Sequence, residues 1–205
     1  SDLGVQLAPV WTNLWWLADH GWFFDLMWHG ALFASLASLF SAAYSGAYIS
    51  ASFDGQHLSK PWGSSPLLDP YYSSAHFRIQ HHGSNMSRFE KTALVAAWPT
   101  GLDNLRVCQK DVAGEANCGG CEKCIRVMTT LVALEKLGEC HAFAATDVTA
   151  ALLETVSQYE MLDAQFKLAW YVDLIPRLSK IGRADLVEVI RAFPTPAERE
   201  TNSPA

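Results

Sequence analysis

The sequence predicts an α/β fold: a partial parallel sheet, a loop holding four cysteines, and a helical C-terminal region. Three observations point there. Two β-rich runs, Gly4 to Val10 and Ala47 to Ser52, flank a long uncharged helical stretch. Cys108, Cys118, Cys121 and Cys124 crowd into one glycine-bearing loop, and apolar residues recur at helical spacing from Thr146 to Phe193. With 205 residues, half of them hydrophobic, the chain has enough apolar side chain for one globular unit or two small ones. The expected organisation is an α/β domain over residues 1–140 that includes the cysteine loop, a helical extension over 141–193, and a polar, fraying tail over 194–205.

Gly4 to Val10 alternates with the period of a strand, and Thr12 and Asn13 are N-cap residues for a helix through Trp15, Trp16 and Leu17. Leu26 to Tyr44 then carries no Asp, Glu, Lys or Arg. That run is long enough to span a bilayer, but His29, Gly30 and several serines interrupt it and no Lys or Arg flanks it, so a buried helix is expected and no membrane span. No basic region opens the chain, which argues against a secretory signal and makes the cytoplasm the expected compartment. Ala47 to Ser52 reads as a second strand ending in the turn Phe53-Asp54-Gly55. Strands on both sides of a helix imply a parallel crossover.

Asp54 to Ser73 is a long irregular loop rich in Gly, Pro and Ser. Loops of this length in compact domains are usually functional, and this one starts at the carboxyl end of a strand, where ligands bind in open parallel sheets. The plain alternative is a surface connection packed by Trp62, Tyr71 and Tyr72. Phe77 to His81 is a third strand. Ser87 caps a helix through Phe89, Leu94, Val95 and Trp98, with Glu90 completing a capping box and Pro99 stopping it. Leu105 to Cys108 leads into the cysteine loop. Cys121 to Leu137 has helical spacing closed by Gly138, which puts the last two cysteines of the four on that helix's first turn. Three or four helices follow, broken near Pro176 and Gly182, with Leu152, Leu153, Val156, Leu162, Phe166, Leu168 and Trp170 as core residues.

The cysteines are written C-x9-C-x2-C-x2-C. Two-residue spacers let neighbouring thiolates turn toward one centre, and a zinc-type ion takes four such ligands tetrahedrally at roughly 2.3 Å. Gly119 and Gly120 free the backbone for that turn. Five cysteines are odd in number and sparse for a disulfide scaffold, which leaves Cys140 as a buried or spare thiol. The same spacing begins a ferredoxin-type iron–sulfur cluster, where a further cysteine usually precedes proline. No Cys-Pro is present, so zinc leads and iron–sulfur stays as the alternative. Four cysteines close the site to water and substrate, so the zinc is expected to be structural.

Other polar residues have a plain reading beside a functional one. His29, at the start of the uncharged helix, can face a ligand or simply be a satisfied core histidine. Arg88, Glu90 and Lys91 can be a solvated helix face with an ion pair. His81 and His82 lack the spacing of a second metal site. A net charge of −6 gives no signal for gripping nucleic acid.

Taken together, several segments resemble a known family. They are Ser50-Ala51-Ser52, Pro61-Trp62-Gly63-Ser64, Pro66-Leu67-Leu68-Asp69-Pro70, Arg88-x-Glu90-Lys91, Leu105-Arg106-Val107-Cys108 and Asn117-Cys118-Gly119-Gly120-Cys121-Glu122-Lys123-Cys124-x-Arg126. This combination resembles the carboxyl-terminal half of PP-loop ATP pyrophosphatases, in particular uncharacterised members similar to 7-cyano-7-deazaguanine synthase. The resemblance covers roughly Gly4 to Cys140, and the cysteine pattern is its most specific part.

The resemblance implies a Rossmann-like fold and an adenylating enzyme. In that family ATP activates a carboxylate or carbonyl oxygen, pyrophosphate leaves, and a nitrogen or sulfur nucleophile displaces AMP. It implies that Cys108, Cys118, Cys121 and Cys124 hold a structural zinc. It implies that the loop carrying Asp54, Trp62, Gly63, Ser64 and Asp69 contacts a small-molecule substrate, with His29 and Arg88 alongside. Lys91 is similar to a family lysine placed where a cation meets phosphate or adenylate. The sequence departs from the family at one point: it contains no Ser-Gly-Gly-x-Asp-Ser loop to cradle pyrophosphate, and neither Ser45-Gly46-Ala47 nor Gly63-Ser64-Ser65 fits that role. The expectation is therefore a chain that begins partway into the fold, with its other half on a separate polypeptide, or a degenerate relative that has lost ATP chemistry. ATP and Mg2+ would act only with an upstream half supplied, and the sheet edge at Gly4 to Val10 would dock an upstream polypeptide or a second copy. The competing class is a non-catalytic, zinc-stabilised interaction module.

Overall fold

A computed structural model describes residues 4–17, 23–55, 61–108, 110, 116–158 and 164–194. Leu162, the tail from residue 195, and the side chains of Trp15, Trp16 and Phe166 lie outside the described residues. The chain forms two compact units, Ser1–Arg88 and Phe89–Ala205.

The first unit contains the sheet. Strands β1 (Gly46–Ser50) and β2 (Arg78–His82) pair in parallel, in register from Gly46 opposite Arg78 to Ser50 opposite His82. Together with the helices this makes the fold α/β, with a two-stranded parallel sheet. The uncharged stretch is helical as expected. A π-helical turn, Phe24–Trp28, runs into the α-helix His29–Ser38. His29, Gly30, Leu32 and Ala34 of that helix are buried, Ala34 packing with Ile49, Phe77 and Ile79 in a small core, while Phe33 stays exposed. Strand alternation does the same for β1, where Ile49 is buried and Tyr48 is exposed.

Gly4 to Val10 is not a strand. Residues 4–13 have no regular structure and are all exposed. An alternating segment becomes a strand only when its N–H and C=O groups find a ladder, and here Pro9 also removes a donor. Gly4 adds a turn with φ 61°. The sheet edges among the described residues are those of β1 and β2. The helix expected after Thr12 is one 3-10 turn, Leu14–Leu17, whose Leu14 N–H donates to Thr12 Oγ1 at 3.1 Å.

In the second unit helices share one core, which runs from Ala96 to Ile190 and so joins residues on both sides of position 140. Arg88–Ala96 begins where the capping signal put it. Pro99 does end that run, but it also opens a short helix, Pro99–Asp103, because a proline is well suited to a first helical turn. The helix Glu122–Ala133 follows the cysteine loop. It closes earlier than Gly138: Glu135 takes φ 57°, and the Glu135 and Lys136 N–H groups donate back to Val132 O at 2.9 Å and Leu131 O at 2.8 Å. This is the paired closure usually built on glycine, formed here by a residue with a side chain.

Ala150–Glu154 is capped by Thr149, whose Oγ1 accepts the Leu152 N–H at 3.2 Å. Ala164–Val172, Ile175–Lys180 and Ala184–Arg191 follow, with Pro176 in the first turn of the second and Gly182 at φ 78° ending it. Leu153 and Val156 are core residues as expected; Leu152 packs against the core from its edge, and Leu168 and Trp170 are half-buried. Among the described side chains of Ala164–Val172, Tyr171 is fully buried. Among the described residues no helix is long and apolar enough to cross a membrane.

Candidate metal centre

The Sγ atoms of Cys108, Cys118, Cys121 and Cys124 all lie within 4.8 Å of one another. Cys121 to Cys124 is 3.4 Å, Cys108 to Cys121 3.8 Å and Cys118 to Cys124 3.9 Å. A tetrahedral ion with sulfur ligands at roughly 2.3 Å puts its ligands about 3.8 Å apart, so the four thiols already outline a zinc-sized tetrahedron. All five cysteines are free of disulfides.

Local structure explains the convergence. Gly119 sits at φ 68°, which turns the chain between Cys118 and Cys121. Cys121 is the extended N-cap of Glu122–Ala133, one position before the helix, and Cys124 lies in its first turn. Cys108 and Cys124 are buried, and Cys118 and Cys121 are half-buried. The thiols are electrostatically unequal. The Cys118 backbone N–H, aided by that of Lys110, holds the Cys108 thiol down to about 6. Burial pushes Cys121 and Cys124 up, and in Cys124 the neighbouring Cys121 adds to it. The four sulfurs are placed so that they could hold one metal ion among them. Cys140 lies apart: it is buried, and its thiol donates to Leu102 O at 3.3 Å.

Two neighbours of the centre were not singled out by the sequence. Asn117, 2% exposed, accepts the Cys108 N–H with its amide oxygen at 3.1 Å. Arg126, one turn past Glu122, lies 3.3 Å from its carboxylate and stacks 4.3 Å from the Trp170 ring centroid. That ties the metal helix to Ala164–Val172. The one advance signal for both residues is their place inside the cysteine motif.

The expected ligand-side residues assemble in the first unit, largely by bonding to one another. Asp69 is fully buried and accepts three hydrogen bonds: from Ser64 Oγ at 2.7 Å, Ser65 N–H at 3.2 Å and His81 Nδ1 at 2.7 Å. His81 comes from the carboxyl end of β2, so the loop is pinned to the strand ends. Gly63 and Gly30 permit this closeness. The Gly30 N–H donates to Gly63 O at 2.9 Å, and a Cβ on Gly63 would meet His29 Nδ1 at 2.7 Å.

His29 is buried and donates from Nδ1 to Phe24 O at 3.0 Å, with Trp62 edge-on at 5.4 Å. The indole N–H groups of Trp28 and Trp62 are buried and have no hydrogen-bond partner among the described residues. Arg88 donates to Ser52 O at 3.0 Å, and Asp54 is half-buried. Lys91 belongs to the second unit, half-buried on Arg88–Ala96. Ser64 and His81 meet at the same carboxylate oxygen, Asp69 Oδ2, and Ser64 Oγ also lies 3.4 Å from His81 Nδ1, so the three side chains form one closed cluster.

Comparison with known proteins gives no match to any family model, to any curated protein or to any solved structure.

Proposed function

We propose that this chain binds one structural zinc ion through Cys108, Cys118, Cys121 and Cys124, and that it forms the substrate-side portion of a PP-loop-type adenylating enzyme. The observation that carries the zinc is the sulfur tetrahedron, with all four Sγ atoms within 4.8 Å. Free thiols at such a site suit a reducing compartment such as the cytoplasm.

Support for the enzyme reading is the order of motifs and their setting. The Trp62 to Asp69 loop follows β1 and bonds to the carboxyl end of β2, where ligands enter open parallel sheets. On this reading the two strands belong to a Rossmann-like sheet. The unpartnered indole N–H groups of Trp28 and Trp62 would donate to an acceptor-bearing small molecule. ATP and Mg2+ would act through a Ser-Gly-Gly-x-Asp-Ser loop, which these 205 residues do not contain and which an upstream segment or a partner polypeptide would supply.

A second reading, a non-catalytic zinc-stabilised interaction module, is favoured by one observation. The Asp69 carboxylate of the loop is satisfied internally, wholly enclosed by Ser64, Ser65 and His81. Isotope exchange between ATP and pyrophosphate separates the two readings. It should be absent from this chain alone and appear when a polypeptide bearing the missing loop is added. Exchange that never appears with any such polypeptide, while one zinc per chain is found by metal analysis, favours the module.

A further inference from the structure

We propose that Asn117 is the positioning residue of the metal centre, a side chain that ligates nothing and yet holds Cys108 where it can ligate. The inference rests on reading the four cysteines as a zinc site.

Its starting point is an asymmetry in the motif. Cys118, Cys121 and Cys124 are separated by two residues each, whereas Cys108 is nine residues removed from Cys118. The turn at Gly119 and the helix start at Glu122 fix the first three sulfurs by local geometry. For the fourth, Cys108, the Lys110 N–H reaches the sulfur at 3.3 Å, but that bond does not tie the Cys108 backbone to the other three cysteines. Asn117 does so from the residue beside Cys118.

Its Oδ1 accepts the Val107 N–H at 2.9 Å and the Cys108 N–H at 3.1 Å. Its Nδ2 donates to Leu105 O at 2.7 Å and Ala142 O at 2.9 Å. An amide offers two acceptor sites and two donors, so every one of them is used. The partners also fix which way the amide faces, since a flip would set donor against donor and carbonyl against carbonyl. The side chain is buried, so water does not take over these bonds when it is removed. Asn117 thus clamps the Leu105 to Cys108 segment onto the cysteine knuckle, and it ties both to the segment at Ala142. Such supporting partners of metal ligands are generally worth about 10- to 100-fold in affinity.

The test is the zinc affinity of the full chain, measured by competition with a chromophoric chelator in the wild type, Asn117→Ala, Asn117→Asp and Leu186→Ala. Leu186 is a fully buried residue of the core that also holds Cys108 and Cys124, so Leu186→Ala shows what a general loss of stability does to affinity. Asn117→Asp keeps both accepted bonds and loses both donated ones. The expected order of affinity is wild type above both Asn117 variants, with Asn117→Ala about 10- to 100-fold weaker than wild type and weaker than its loss of stability in urea, scaled by Leu186→Ala, accounts for.

A general loss of stability alone would place Asn117→Ala and Leu186→Ala on one line of affinity against urea stability, and that result overturns the inference. Equal affinity in Asn117→Ala and wild type overturns the inference while leaving the zinc site intact. A wild type that binds no zinc sinks the zinc reading and the inference with it. Should Asn117→Ala fail to fold, Asn117→Asp against Leu186→Ala decides: weaker binding is expected, and unchanged binding overturns the role.

Discussion

His81 Nδ1 donates to Asp69 Oδ2 across 2.7 Å, and both side chains are almost wholly enclosed, at 3% and 0% exposure. The pair joins the loop after β1 to the end of β2, so it sets the shape of the strand ends.

Removing the charge on Asp69 should therefore be costly. Asn in its place turns an acceptor into a donor facing Ser64 or His81, which leaves buried donors without partners. Asp69→Asn is expected to destabilise the chain by about 3 kcal/mol. Urea unfolding followed by tryptophan fluorescence measures this, and a loss under about 1 kcal/mol would show that the pair is dispensable.

Glu135 offers the opposite sign. It holds a left-handed backbone at φ 57° to close the helix Glu122–Ala133, a conformation in which any Cβ is crowded. Glu135→Gly relieves that crowding, partly offset by the greater freedom of glycine in the unfolded chain. The expected gain is up to about 1 kcal/mol in denaturant unfolding. No gain, or a loss, would mean that the Glu135 side chain makes a compensating contact.

Arg183 gives a pH dependence. Its guanidinium makes two bonds to Asp185, each 2.9 Å, and one to Asp147 at 2.6 Å. Arg183 thereby holds the Asp185 carboxyl below the usual carboxylate range. A carboxyl lowered in the folded state stabilises above its unfolded value, about 3.9, and that contribution is lost as pH falls through the lower folded value. Because Asp185 is exposed, the effect should stay under about 1 kcal/mol. The stability difference between wild type and Asp185→Asn should be present at neutral pH and shrink in acid below about 4. A difference that grows on acidification would contradict the pairing.

These sites differ in how far the sequence announces them. Cysteine spacing is legible because ligand chemistry is written locally, and Gly182 marks a helix end by its own conformation. β1 and β2 fall within two residues of their expected places, since alternation there coincides with burial. Gly4 to Val10 has the same alternation and no ladder, and only a partner strand makes such a segment β. The Asp69–His81 pair joins residues from two elements, and the Glu135 closure replaces the glycine that the pattern favours. Neither leaves a local trace. Asn117 stands in plain view beside Cys118, but its four partners lie at Leu105, Val107, Cys108 and Ala142, which no reading of spacing brings together.

Metal removal tests the centre itself. Cys108 and Cys124 belong to the same core as Ile125, Met128 and Leu131, so losing the ion would release the start of the helix around which that core is built. Structural zinc contributes on the order of 10 kcal/mol or more to the folded state of small zinc domains, which rivals the whole stability of a typical domain, about 5–15 kcal/mol. Chelation should therefore abolish hydrogen-exchange protection in Glu122–Ala133, and re-adding zinc should restore it. Cys118→Ser and Cys121→Ser should each lose the metal and behave like the chelated chain, whereas Cys140→Ser, whose thiol faces Leu102 O, should keep one zinc. Protection that survives chelation would remove the ion from the folding of this unit, and visible absorbance from bound iron and sulfide would replace zinc with a cluster.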